Sequence, residues 1–133
     1  MNPHYLIDTD WVIDYLCDVT EVIGKIDAYR NRGLTISIIT FAELYEGIYF
    51  SRDSTESERK LDSFLLDVSI TNLNEEICKI FARERGRLRK EGTIIGDLDI
   101  LIAATALSCN MTLLTNNRRH FERINDLSIE SVE

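Results

Sequence analysis

The sequence predicts an α/β fold organised on a parallel sheet, and three observations carry that expectation. Short apolar or β-branched runs of strand length recur along the chain, segments with helical spacing separate them, and helix-start residues stand just after the runs. Strand and helix in alternation is the pattern of βαβ units. In order, Tyr5-Leu6-Ile7 predicts the first strand, and Thr9 or Asp10 starts a helix ahead of Trp11-Val12-Ile13. The run from Leu34 to Ile39 predicts the second strand, with Thr40 starting a helix ahead of Phe41-Ala42-Glu43. The polar stretch from Ser51 to Arg59 reads as a solvated loop or as the first turns of a surface helix reaching Leu66. Val68-Ser69-Ile70 predicts the third strand, after which Asn74 caps a helix with Glu75 and Glu76 in its first turn. Ile77, Ile80, Phe81 and Leu88 share one face of that helix, and Gly92 predicts its stop. Asp97 starts the helix that holds Leu98 to Ala104, Met111 to Leu114 predicts the fourth strand, and Leu127-Ser128-Ile129 a weak fifth. No linker, repeat or low-complexity tract divides the chain, so one domain over residues 1–133 is expected.

Composition narrows the class. With 133 residues, 44% of them hydrophobic, one core can bury enough surface that neither disulfides nor structural metals are required. Cys17, Cys78 and Cys109 are odd in number and lack C-x-x-C spacing, which predicts small buried hydrophobes in a reducing, cytoplasmic setting. No apolar run approaches the roughly 18 residues that a membrane span needs, and the acidic start argues against a signal peptide. The balance of 15 basic to 23 acidic residues, net −8, excludes nucleic-acid binding by a broad basic face and leaves room for a local basic rim.

Open parallel sheets bind ligands beyond the carboxyl ends of their strands, so the polar residues at those turns are the ones that matter. They are Asp8, Thr9 and Asp10; Thr40 and Glu43; Thr71, Asn72 and Asn74; Asp97 and Asp99; and Thr115, Asn116 and Asn117. Asp8, Glu43 and Asp99 gathered without a basic partner would repel one another, which asks for a divalent cation. Oxygen donors without His or Cys select Mg²⁺ or Mn²⁺ over Zn²⁺, and the co-ligand of such an ion is a phosphate oxygen. Hydrolysis of a phosphodiester by a metal-activated water is the chemistry this suggests. Each acid also has a purely structural reading. Thr40 and Glu43 have capping-box spacing, Asp97 suits an N-cap, and Asp10 and Asp99 suit the positive end of a helix. Asp8 differs because it ends a buried strand, where an unpaired charge is costly.

Four segments, LIDTDWVIDYL at 6–16, ITFAELYEGIY at 39–49, IGDLDILIAATAL at 95–107 and LLTNNRRHFERI at 113–124, together resemble the PIN domain of VapC-type toxins. The resemblance spans nearly the whole chain in order and spacing. It implies a three-layer α/β/α sandwich with a parallel sheet of four or five strands. It further implies a metal-dependent endoribonuclease acting on RNA, usually a homodimer, held in check by a small cognate antitoxin. By position, Asp8, Glu43 and Asp99 match the family's first three acids. The fourth, often an Asp, is Asn117 here, and Asp97 or Glu122 can supply charge in its place. Thr9, Asn116, Asn117, Arg118 and Arg119 are the expected substrate contacts, with Asn116 or Thr115 as a helix cap in the alternative. Arg83, Arg85, Arg87, Arg89 and Lys90 read as a solvated face pairing with Glu84 and Glu91, and His4 and His120 as structural. Trp11, Tyr15, Phe41 and Tyr45 read as core or as an interface for the dimer or antitoxin.

Rival readings remain open on sequence. Asp8-Thr9-Asp10-Trp11-Val12 also fits the start of haloacid-dehalogenase-type phosphatases, which then need a lysine at a strand end and give Glu43 no role. A receiver domain needs a lysine after its last strand, and none follows Lys90. A non-catalytic PIN-fold binding module is supported only by Asn117.

Overall fold

A computed structural model describes residues 3–132. Five strands, β1 (Tyr5–Ile7), β2 (Leu34–Ser37), β3 (Ser69–Thr71), β4 (Thr112–Leu114) and β5 (Ile129–Glu130), form one sheet in the order β3-β2-β1-β4-β5. All four pairings are parallel, with Leu6 opposite Thr35 and Leu113, and Ile7 opposite Leu114. The helices are α1 (Thr9–Leu16), α2 (Thr20–Tyr29), α3 (Ile38–Tyr49), α4 (Ser54–Phe64), α5 (Glu75–Lys90), α6 (Asp97–Ser108) and α7 (Arg118–Phe121).

Neighbouring residues of a strand point to opposite faces, and here the two faces feed separate cores. Ile7, Ile36 and Leu114 pack with Trp11, Val12, Ile26, Leu44 and Leu61 on one side. Leu6 and Leu113 pack with Leu88, Ile100, Ile102, Ala103 and Phe121 on the other. The sheet is therefore the middle of three layers, the expected α/β/α sandwich. Helix α6 buries Ile100, Ile102, Ala103, Ala104, Thr105 and Ala106, so its apolar character runs all round it.

Several boundaries shift for local reasons. β2 stops at Ser37, and Ile38 and Ile39 belong to α3, because the Ser37 hydroxyl accepts from the Ile39 N–H at 3.0 Å and caps the helix there. Thr40 and Glu43 thus lie inside α3 and form no capping box. The N-cap of α1 is Asp8 rather than Thr9 or Asp10, and that of α6 is Gly96 rather than Asp97. The polar stretch after Ser51 is a helix from Ser54, capped by Asp53. Asn74 accepts from Ile77 N–H at 2.9 Å, as its cap role requires, and Gly92 ends α5 at φ 72°. The cysteines are a correction. Cys17 and Cys109 are helix C-caps, Cys78 faces outward on α5, and all three thiols are free and exposed. No helix among the described residues is long and apolar enough to cross a membrane.

Candidate active site

The chain adds β2 and β3 on one side of β1 and β4 and β5 on the other, so strand order reverses between β1 and β4. A crevice opens where strand order reverses, at the carboxyl ends of the two strands. Asp8 follows β1 there and Thr115 follows β4. The Asp8 N–H donates to the Leu114 carbonyl at 2.9 Å, and Thr115 Oγ1 donates to Asp8 Oδ2 at 2.7 Å. Asp8 is only 5% exposed. Asp10, in the first turn of α1, accepts the Asn116 N–H at 3.1 Å. Burial and the neighbouring Asp10 carboxylate push the Asp8 carboxyl up to about 7, against the favourable Thr115 hydroxyl. Burial raises Asp10 as well. Neither has an ion-pair partner among the described residues.

The other two acids reach the crevice through hydroxyl and imidazole donors. Thr9 Oγ1 donates to Glu43 Oε1 at 2.7 Å and lies 3.0 Å from Thr40 Oγ1, so the residue beside Asp8 holds the carboxylate of α3. His120 Nδ1 lies 3.0 Å from Asp99 Oδ2 and 3.1 Å from Asn117 Nδ2. Asn117 N–H in turn donates to Thr115 Oγ1 at 3.0 Å. One ring nitrogen cannot both donate to Asp99 and accept from Asn117, so two hydrogen-bonded sets, Asp8–Thr115–Asn117 and His120–Asp99, stand side by side where Asn117 meets His120. Among the described residues no three acidic, His or Cys side chains stand close enough to enclose a metal ion.

The remaining candidates fall in different places. Asp97 belongs to neither set; two residues from Asp99 on a helix, it points elsewhere, and Arg85 binds both its oxygens at 2.7 and 3.3 Å. That bond, with the nearby Arg89 charge, holds its carboxyl below the usual range. Asn116 Oδ1 accepts from Trp11 Nε1 at 3.1 Å and Val132 N–H at 2.9 Å, which makes it a latch between α1 and the chain's end. Arg118 pairs with Glu122 at 3.2 Å, while Arg119 is exposed and without an ion pair among the described residues. Trp11 is fully buried core. Thr115 and Asp10, which suit helix caps, and His120, read as structural, are the residues that sequence reasoning undervalued. The in-register pairing of β1 with β4 is what puts Thr115 beside Asp8, and no local pattern displays it.

The donor chemistry fits a hard divalent cation. A buried carboxyl held near pH 7 by desolvation and a second carboxylate is relieved by a positive ion, and Asp8, Glu43 and Asp99 offer only oxygen. The PIN domain family model matches residues 5–127. The chain belongs to the PIN-domain family, in its VapC branch. It is 34% identical over 125 residues to ribonuclease VapC1 of Haemophilus influenzae, covering 92% of this chain and 93% of that protein. It is 30% identical over 129 residues to the tRNA(fMet)-specific endonuclease VapC of Salmonella typhimurium, covering 95% and 96%. Among solved structures, VapBC2 of Rickettsia felis bound to a promoter DNA fragment superposes with TM-score 0.92 at 29% identity, covering 97% of this chain and 98% of that one.

Proposed function

We propose that this PIN domain is an Mg²⁺- or Mn²⁺-dependent endoribonuclease, the toxin of a toxin–antitoxin pair, with Asp8, Glu43 and Asp99 as the acids that hold the metal. The observation that carries the reading is Asp8: a carboxyl 5% exposed, pushed up to about 7 beside Asp10, at the strand-order reversal of a VapC-type fold. When bound, the cation supplies Lewis acidity toward the scissile phosphodiester and makes water more acidic. The chain's own residues orient the acids: Thr115 fixes Asp8, Thr9 fixes Glu43 and His120 fixes Asp99. Asn117, half-buried, and Arg119, exposed, meet the substrate at the same edge, while Asp97 stays with Arg85.

An antitoxin partner is supported by an apolar groove of about 370 Å³ between α1, α3 and α4, lined by Ile13, Leu16, Leu44, Ile48 and Leu61 and reaching Glu43. A segment with apolar anchors and a basic residue fits it and can reach the acids. Homodimerisation follows the same family reading.

The test is cleavage of single-stranded or transfer RNA by protein freed of any partner, in Mg²⁺, Mn²⁺ or EDTA. Cleavage with either metal that falls by at least about 100-fold in Asp8→Asn and Asp99→Asn supports the reading. Absence of cleavage with both metals, or undiminished toxicity of the Asp8→Asn chain on expression, overturns it.

A further inference from the structure

Most arginines near the site are spoken for. Arg83 and Arg87 pair with Glu84, Arg87 also with Glu91, Arg85 with Asp97 and Arg118 with Glu122. Arg119 and Arg123 have no ion pair among the described residues, and both line one open groove with Gly92, Thr93, Ile94 and His120. Its volume of about 440 Å³ is in the range that accommodates a small organic ligand or a single nucleotide. His120 belongs to both places, since it lines the groove and its ring nitrogen meets Asp99. The groove therefore adjoins Asp99 through His120. Its far wall is the turn through Gly92, at φ 72°, and Ile94, an apolar side chain 94% exposed.

We propose that this groove is a subsite for the RNA nucleotide next to the scissile phosphate, with Arg119 and Arg123 on its phosphate and Ile94 against its ribose or base. The assignment rests on the ribonuclease reading and adds to it the path by which substrate leaves the acids. On a chain of net charge −8, two unpaired arginines in one concavity form a local positive spot, which draws an anionic backbone to that side of the site. Arg118, engaged with Glu122 and the Ile129 carbonyl, takes no part. Arg123 lies outside the segment in which substrate contacts were expected.

The experiment measures binding of a fluorescein-labelled single-stranded RNA by anisotropy in EDTA across a salt series, and cleavage kinetics with Mg²⁺ or Mn²⁺. For Arg119→Gln/Arg123→Gln, the expected result is a salt slope smaller by about 0.7, for the one phosphate that the two arginines share, with affinity at low salt reduced roughly tenfold. KM rises correspondingly while kcat stays within about twofold. Arg52→Gln/Arg59→Gln, which removes an equal charge at and just before α4, leaves slope and KM unchanged. Both altered arginines are exposed, and an unchanged melting temperature checks that the fold is intact. If the double variant cleaves and binds like the parent, the subsite is wrong and the ribonuclease reading stands. A change of sedimentation coefficient with unaltered RNA binding makes the groove an interface between copies and equally overturns the proposal. If the parent cleaves no RNA yet the salt slope still falls in the double variant, the groove binds an RNA phosphate but the nuclease reading fails, and the place beside a scissile phosphate falls with it.

Discussion

Asp8 carries the cost of the site. Its carboxyl is buried, faces Asp10 and has only the Thr115 hydroxyl and a backbone N–H to offset the lost water. Asp8→Asn removes the charge and keeps an oxygen that accepts from Thr115. In metal-free protein at pH 8 this variant is expected to be more stable by about 1–3 kcal/mol, read as a higher midpoint in urea, although it no longer cleaves RNA. A midpoint below that of the parent would show that Asp8 is not strained. His120 acts through Asp99. Losing the ring in His120→Ala frees that carboxylate, and activity is expected to fall by about 10- to 100-fold. His120→Asn, which keeps a side-chain donor, should recover part of it, and equal losses in both variants would remove the positioning role.

Helix α5 shows how an ordinary-looking charge run becomes structure. Glu84 is 3% exposed and accepts from Arg87 at 2.9 Å and from the Asn125 N–H at 3.3 Å, tying α5 to the turn after α7. Burial alone would raise its carboxyl, but Arg87, the Asn125 N–H and Arg83 bring it below the usual range. Glu84→Ala leaves Arg87 with Glu91 and the Arg123 carbonyl and strands the Asn125 N–H, so a loss of about 2–3 kcal/mol is expected in urea unfolding. A loss under about 0.5 kcal/mol would mean that the tie is replaced by water. The pairing of Glu84 and Glu91 with this helix's arginines was legible in the sequence, as were the five strands, because period and spacing are local properties. Helix α2 has no marked start signal, its N-cap Val19 having no capping side chain, and its extent emerges from packing of Val22 and Ile26. Ser37 was hidden inside an apolar run that reads as one strand. In the candidate site, Asp8, Glu43 and Asp99 stand out in the sequence by motif and order. Their donors do not, since Thr9 meeting Glu43 and His120 meeting Asp99 depend on which helices pack together.

The raised Asp8 carboxyl makes the stability of the whole metal-free protein depend on pH. Between its ordinary value of 3.8 and about 7, the folded chain keeps a proton that the unfolded chain releases. The native state then binds more protons than the unfolded state, so stability falls as pH rises through that window and levels off above it. Asp10, also raised, adds in the same direction. In EDTA the melting temperature is therefore expected to drop by several degrees from pH 5 to pH 8, by an amount on the order of a few kcal/mol. A divalent cation reverses the sign, because it binds the ionised acids of the folded chain and stabilises by mass action. Adding Mg²⁺ or Mn²⁺ should raise the melting temperature more at pH 8 than at pH 5, and Asp8→Asn should lose most of both effects. Equal metal-induced shifts at the two pH values, or an EDTA melting temperature that climbs toward pH 8, would contradict the assignment of Asp8 as the buried acid that the cation neutralises.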